Sequence, residues 1–247
     1  FCFFNVYCNI LVIEYNTSIS FKKRGVYKKM NKIQFDILKY LSQNTYESQR
    51  ELSKVLEYSL GNINQNLNEL VQEEYLMKNY TLTVTAQQIL DSRSPKRAII
   101  LAAGFGMRMV PINTETSKGL LEVRGEVLIE RTIRQLHEVG IKDIYIVVGF
   151  MKEQYEYLID KYQVELIVNN DYHWKNNLSS LAKAEKYIDN TYVIPCDIWC
   201  HSNPFSKIEA YSWYMLGNRL THGSTVIANK SMEILPRPAK RMGNEMI

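Results

Sequence analysis

The most constraining feature of the sequence is a set of four strand-length apolar runs between residues 97 and 195. Helix-length segments with one apolar side, such as 127–139, separate the runs. Continuous apolar runs are typical of strands buried on both faces, and their alternation with helices predicts a parallel sheet between two helix layers. We therefore predict an α/β domain over residues 95–247, with a mostly parallel, Rossmann-like sheet and helices on both faces. Its strands are expected at 98–102, 143–148, 164–168 and 191–195.

The loop after the first of these runs carries the pattern Gly104-Phe105-Gly106. Ligands of open α/β sheets bind at the carboxyl ends of strands, so this loop is a candidate site. A dinucleotide fingerprint needs a third glycine where Met109 stands, and a helix where Pro111 and a polar stretch follow. The sequence also lacks a Walker A loop. Both of these phosphate-binding motifs are therefore excluded.

The same loop holds two cations, Arg108 and Lys118. Glycines allow backbone N–H groups to approach phosphate oxygens, arginine offers a bidentate fork and lysine a mobile point charge. This combination suits a triphosphate. The alternative is an ordinary turn between a strand and a loop, with charged residues on its surface.

Residues 30–94 predict a small winged helix-turn-helix domain. Apolar residues recur at helical spacing after Asn31, Ser48 and Ser59, and 75–85 alternates like a hairpin. Asp91 to Arg97 then reads as a polar linker with a proline.

The third predicted helix, 59–74, contains no lysine or arginine, and residues 31–94 hold more acidic than basic side chains. Because phosphate neutralisation supplies most nonspecific DNA affinity, DNA binding is only weakly supported. The helix nevertheless carries amides that suit adenine edges, at Asn62, Asn64, Gln65, Asn66 and Asn68. The alternative is a docking or dimerisation module, which makes a homodimer one expectation.

Residues 1–29 differ from the rest in charge and composition. Their five basic residues and Glu14 give a net charge of +4, which equals that of the whole chain. We expect this segment to be translated upstream sequence or disordered, with Met30 as the true start; a membrane-surface tail is the alternative. Its apolar stretch is too short to span a bilayer. The cysteines lack disulfide or zinc spacing, which indicates reduced thiols and a cytoplasmic protein.

The stretch from Leu101 to Leu120, L-A-A-G-F-G-M-R-M-V-P…S-K-G-L, resembles the signature of nucleotidyltransferases that activate sugars and alcohol phosphates. Asn113 and Ser117 replace the usual threonine and proline. Residues 126–150 and 176–184 look like the bacterial phosphocholine cytidylyltransferases, some of which carry a helical DNA-binding-like domain in front. The resemblance implies a nucleotide-diphospho-sugar transferase-like fold and transfer of CMP from CTP to phosphocholine. A sugar-1-phosphate nucleotidyltransferase and a nucleotide-sensing winged-helix regulator are the alternatives.

The resemblance also implies roles for individual residues. Arg108 and Lys118 would be catalytic, and Asp197 would hold Mg²⁺. The nucleotide would contact residues in two segments of the chain: Ala103, Gly104, Gly106, Asn177, Ser179 and Ser180. Asn and Ser at 177–180 could equally cap a helix. Tyr172 and Trp174 could enclose a quaternary ammonium, or simply pack. A second metal-binding aspartate of the family has no counterpart after Asp197, so we expect the domain to be incomplete at its carboxyl end.

Overall fold

The structure, a computed structural model, describes residues 11–13, 30–106, 115–173, 177–209, 211–213, 215, 227–228 and 234–235. The α-helices of these residues are α1 Lys32–Gln43, α2 Gln49–Leu56, α3 Leu60–Gln72, α4 Val84–Ser92, α5 Leu128–Glu138, α6 Tyr157–Tyr162 and α7 Asn177–Lys183. The strands are β1 Leu11–Ile13, β2 Arg97–Ala102, β3 Glu122–Val123, β4 Glu126–Val127, β5 Asp143–Val148, β6 Glu165–Val168, β7 Thr191–Pro195, β8 Ile227–Ala228 and β9 Ile234–Leu235.

The first three helices begin where the sequence predicts, because each starts at a polar cap. The side chain of Asn31 accepts a hydrogen bond from Gln34 N in a capping box. Ser48 and Ser59 accept from the amides three residues further on. These caps satisfy backbone N–H groups that have no partner inside the helix. The apolar faces of the helices share one core, in which Ile37, Leu38, Leu52, Ile63, Leu67 and Leu70 are buried.

The predicted hairpin over 75–85 is wrong in its extent. One antiparallel bridge joins Leu76 to Leu82, with Tyr80 in the left-handed region at a φ of 61°. Thr83 already caps α4 by accepting from Ala86 N. The β-branched residues at 83–85 suggested a strand, but the cap and the burial of Ala86 and Leu90 in the core favour a helix.

The larger sheet has the order β1-β7-β2-β5-β6. Strands β2, β5, β6 and β7 run parallel, whereas β1 pairs antiparallel to β7, with Leu11 opposite Val193. The prediction of a mostly parallel sheet is confirmed. The start of translation at Met30, expected from the sequence, stays a prediction.

Helices cover both faces of this sheet, as predicted. Along β2, Ile100 faces the layer formed by α5 and α6, where Ile133 and Leu158 are buried. Ile99 faces the opposite side, where Ala184 of the segment after α7 is buried. This alternation follows from the two-residue period of a strand.

The connections between these elements include a helix end at a glycine, a small hairpin and two 3-10 turns. Gly140 follows α5 at a φ of 88°, which fits the predicted helix end. Strands β3 and β4 form a small hairpin that the sequence reasoning missed, with Arg124 and Gly125 at positive φ in its turn. The predicted helices 153–162 and 177–187 each contain a short 3-10 turn, at Lys152–Tyr155 and Glu185–Tyr187.

Residues 217–247 form a separate unit, whose described part is the antiparallel pair β8 and β9. Among the described residues, none of the helices combines the length and the apolar character that a membrane crossing requires.

Candidate active site

The glycine loop begins at the carboxyl end of β2. Ala103 is buried, and its carbonyl oxygen accepts a hydrogen bond from Phe150 N at 3.2 Å. Gly104 is exposed, and Gly106 lies at a φ of 67°, which favours glycine. Arg108 lies outside the described residues. The described part of the loop therefore presents an exposed backbone at this edge of the sheet.

The structure brings Lys118 and Asp197 together, although they lie 79 residues apart in the chain. Lys118 Nζ donates to Asp197 Oδ2, and both side chains are about a quarter exposed, at 27% and 22%. Lys118 begins a 3-10 turn, and Asp197 lies two residues beyond the end of β7. An ion pair with this exposure remains open to solvent and to an anionic ligand.

The absence of a side chain at Gly119 explains how close these two segments come. A Cβ at this position would lie 3.0 Å from Cys196 Cβ and 3.0 Å from the Tyr155 hydroxyl. Both neighbours are buried. Glycine therefore allows the Lys118 turn to contact the residue that precedes Asp197.

The Lys118 turn is anchored to residues that the sequence reasoning did not single out. Ser117 N donates to Gln154 Oε1 at 2.9 Å, and the hydroxyls of Ser117 and Tyr155 are 2.6 Å apart. Gln154 Nε2 also donates to the carbonyl oxygen of Glu115 at 2.8 Å. The one signal for Gln154 and Tyr155 was their position shortly after β5, at the predicted ligand edge.

Cys196 is a buried packing thiol and a free cysteine. Burial and, to a lesser extent, the neighbouring Asp197 carboxylate raise its pKa to about 12, although Lys118 opposes the shift. The thiol is therefore protonated at neutral pH. A protonated, buried thiol is not a metal ligand.

The loop after Asp197 is clamped by Arg131 of α5. Its guanidinium donates to the carbonyl oxygens of Cys200 at 2.8 Å and His201 at 2.7 Å. The same group lies 4.9 Å from the centroid of the Trp199 ring. The clamp fixes the main chain beside Asp197.

A second set of polar residues lies directly after β6 and on α7. Asn169 is fully buried, and its Nδ2 donates to Ser180 Oγ at 3.0 Å, while its Oδ1 accepts from Asp171 N. Ser180 is buried, Ser179 half-buried and Asn177 exposed at the first residue of α7. The roles of these three residues toward a nucleotide stay predictions. Asn169, which the sequence reasoning missed, directly follows a strand end.

Aromatic rings connect the loops after β2, β5 and β6. The centroids of Phe105 and Phe150 are 4.3 Å apart in an edge contact, and Tyr172 lies 6.4 Å from Phe150. Tyr172 also packs on His173 at 3.7 Å. Trp174, the other aromatic residue singled out by the sequence, lies outside the described residues.

The fit of the site to Mg²⁺ rests on one carboxylate. Within the described ranges there is no group of three or more His, Cys, Asp or Glu side chains that could hold a metal. Mg²⁺ commonly takes only one or two protein carboxylates and completes its shell with substrate phosphates and water. Asp197, at the end of β7, suits that arrangement.

The outer face of α3 exposes all but one of the amides that the sequence singled out. Asn62, Asn64, Gln65 and Asn68 are exposed. Asn66 is buried, because it accepts from Asn31 Nδ2 at 2.9 Å and donates to Asn62 O at 2.7 Å. The prediction that Asn66 could contact a base is therefore wrong. DNA binding by the winged helix stays a prediction.

Two regions of the chain are similar to known protein families. Residues 98–206 match the family model of the MobA-like NTP transferase domain, and residues 30–77 match that of a winged helix-turn-helix DNA-binding domain. Residues 98–206, with their parallel sheet and the Lys118–Asp197 pair, are thus similar to a nucleotidyltransferase domain, and residues 30–77 before them are similar to a winged helix.

The curated relatives narrow the resemblance to cytidylyltransferases. The chain is 45% identical over 118 residues to choline-phosphate cytidylyltransferase of Streptococcus pneumoniae, which covers 48% of this chain and 52% of that protein. It is 39% identical to the Haemophilus influenzae protein of the same name, covering 47% and 50%. It is 41% identical to 2-aminoethylphosphonate cytidylyltransferase of Lancefieldella rimae, covering 40% and 41%. The predicted resemblance to bacterial phosphocholine cytidylyltransferases is confirmed.

Among solved structures, CTP:phosphocholine cytidylyltransferase from Streptococcus pneumoniae is 44% identical, with 45% of this chain and 49% of that chain covered at a TM-score of 0.44. The chain spans about half the length of the curated relatives it matches.

Proposed function

We propose that the protein transfers CMP from CTP to phosphocholine and releases pyrophosphate, giving CDP-choline. The observation that carries the proposal is the Lys118–Asp197 pair beside the glycine loop, at the carboxyl ends of β2 and β7. The similarity to cytidylyltransferases supports CTP as the donor. Phosphocholine is favoured over other acceptors because the relative with the highest identity among those compared above, at 45%, is named for it.

In this reaction an oxygen of the acceptor phosphate attacks the α-phosphorus of CTP. The bond between that phosphorus and the bridging oxygen to the β-phosphate breaks, and pyrophosphate leaves with the bond electrons. Because phosphoryl-type transfers leave the protein little covalent chemistry to perform, positioning and charge stabilisation supply most of the catalysis.

The residues of the site divide this work between them. The backbone amides of Gly104 and Gly106, together with the Arg108 side chain, would hold the β- and γ-phosphates. Lys118 would neutralise charge where the acceptor phosphate meets the α-phosphate. Its contact with Asp197 holds the ammonium group at this edge until an anion competes for it.

Mg²⁺ is the proposed cofactor, and Asp197 is the residue that would hold it. The ion would neutralise charge on the phosphates of CTP. Lys118 competes for the same carboxylate oxygen, so we expect metal and nucleotide to bind together, as the phosphates draw Lys118 away from Asp197.

The first test is calorimetric titration of the chain with CTP, UTP, ATP and dTTP, each with Mg²⁺. We expect CTP to bind more tightly than the others. Equal affinity for all four would contradict the assignment to CTP, and a well-folded chain that binds no triphosphate would contradict the phosphate role of the glycine loop.

The second test replaces the two charged residues of the site. We expect Lys118→Ala and Asp197→Asn to lower turnover by about 10²–10³-fold, the range seen when one preorganised group at a transition state is removed. Lys142→Ala is the matched control, because Lys142 is exposed and precedes β5 at the opposite end of the sheet. Near-wild-type turnover of Lys118→Ala, with the fold intact by circular dichroism, would refute its role.

An acceptor panel separates the proposal from a sugar-1-phosphate nucleotidyltransferase. With CTP present, phosphocholine should be consumed and glucose 1-phosphate should not. The panel should include 2-aminoethylphosphonate, the acceptor that the name of the Lancefieldella rimae relative indicates. The reverse preference between choline and sugar phosphates would favour the alternative.

A further inference from the structure

The segment that follows the nucleotidyltransferase match contacts both halves of the chain. Phe205 is buried in the α/β core, and Ile208 is buried in the winged-helix core. Ile208, Glu209 and Tyr211 lie beyond both matched regions, which end at residues 206 and 77. We call residues 205–209 and 211–213 the docking segment.

Glu209 lies at the centre of this contact and is only 9% exposed. Its carboxylate accepts a hydrogen bond of 2.6 Å from the hydroxyl of Tyr192, a fully buried residue of β7. The same carboxylate lies 3.8 Å from Lys39 Nζ of α1. Its backbone N–H donates to the carbonyl oxygen of Arg93, directly after α4, at 3.0 Å. One residue therefore contacts a strand of one domain and two helical segments of the other.

A second contact lies on the same side of α1. The Tyr211 hydroxyl is 3.4 Å from Asp36 Oδ1, and the Tyr58 hydroxyl donates to Asp36 Oδ2 at 2.6 Å. Lys32 Nζ lies 5.5 Å from the centroid of the Tyr211 ring. The docking segment thus covers the polar side of α1, while the outer face of α3 remains exposed.

The strand reached by Glu209 is the one that leads to the candidate active site. Tyr192 pairs with Ala98 of β2, and β7 ends two residues before Asp197. Tyr192 also accepts from Ser206 N at 2.9 Å, so the docking segment holds it at two points. A shift of the docking segment would therefore displace Tyr192 and disturb β7.

We propose that the docking segment couples the winged-helix domain to β7, with Glu209 as the positioning residue that transmits the state of α1 to the strand ending beside Asp197. The winged helix is then a docked part of the nucleotidyltransferase domain, not an arm on a free linker.

Hydrogen exchange followed by mass spectrometry tests the proposal on the full chain, with peptides covering α1 and β7. We expect Glu209→Ala to lower protection in both elements, by roughly tenfold, because it leaves the buried Tyr192 hydroxyl without this acceptor. Lys39→Ala should lower the protection of β7 about two- to threefold, as a partly exposed ion pair allows, although Lys39 lies in the other domain.

Two further variants make the outcome decisive. Glu209→Gln keeps an acceptor oxygen for Tyr192, so it should restore most of the protection of β7. Lys54→Ala, an exposed lysine of α2 away from the docking segment, should leave β7 unchanged. Effects of Lys39→Ala confined to the winged helix would overturn the coupling, and so would an equal response of β7 to Lys54→Ala. No nucleotide is needed, so this test fails or succeeds independently of the proposed function.

Discussion

Gly149 provides a sharp test of how the candidate active site is assembled. It follows β5 directly, at the edge where the loops meet. A Cβ added there would lie 2.8 Å from the carbonyl oxygen of Ala103, and 2.8 Å and 2.9 Å from two ring atoms of Tyr172. Neither neighbour moves freely, because the Ala103 carbonyl accepts from Phe150 N and the Tyr172 ring packs on His173.

We therefore expect Gly149→Ala to destabilise the protein. Overpacking by one methyl group in a well-packed region costs about 1–3 kcal/mol. In a chain of this size each kcal/mol lowers the melting temperature by about 2–4 °C. The expected decrease is therefore roughly 2–12 °C. Because Ala103 starts the glycine loop, the variant should also bind CTP more weakly than the wild type.

Differential scanning calorimetry measures the stability change, with two matched glycine controls. A Cβ at Gly104 or at Gly61 would have no atom within 4 Å. Gly61→Ala should stabilise by up to about 1 kcal/mol, because alanine favours a helix more than glycine does. Gly104→Ala should change stability little. A Gly149→Ala variant that melts at or above the wild-type temperature would refute the argument from close packing.

Two predictions follow from shifted pKa values. Burial raises the pKa of Glu209, although Tyr192, Lys39 and Trp213 oppose the shift. The stability that Glu209 contributes is thus complete below pH 4.5 and is lost as the pH rises through its folded pKa. Urea unfolding from pH 4 to 8 should show Glu209→Gln gaining stability relative to wild type with pH; parallel curves would contradict this. Cys196, with a pKa of about 12, should react with iodoacetamide at pH 8 roughly a thousandfold more slowly than in urea, as peptide mass spectrometry can show. Equal rates would place the thiol at the surface.

The sequence predicted those parts of the fold that local patterns determine. Ser48 and Ser59 mark helix starts because a side-chain oxygen must satisfy backbone groups at the first turn, and that requirement is visible in a few residues. The strands 143–148 and 191–195 were placed to the residue, because a nearly continuous apolar run marks a buried parallel strand. Helix α4 was not predicted, because threonine has a high strand propensity. In the structure the side chain of Thr83 instead caps the helix.

The contacts between distant segments could not be predicted in the same way. No local pattern shows that Gln154 receives Ser117 N, or that Glu209 receives the Tyr192 hydroxyl. The sequence alone indicated no role for Glu209. The contacts of Glu209 depend on the tertiary structure, because they require Phe205 to pack in the α/β core and Ile208 to pack in the winged-helix core.

The Lys118–Asp197 pair shows how a family signature and packing jointly specify a site. The signature places a lysine after the glycine loop and an acidic residue after the last parallel strand, but it does not say that they meet. They meet because Gly119 leaves room for Cys196 and Tyr155, and because Ser117 is held by Gln154. Replacing the usual proline by Ser117 therefore need not loosen the loop, since its hydroxyl and amide both form hydrogen bonds to the turn after β5. One buried and one partly buried hydrogen bond here take the place of a conformational constraint, and they connect the Lys118 turn to the segment that follows β5.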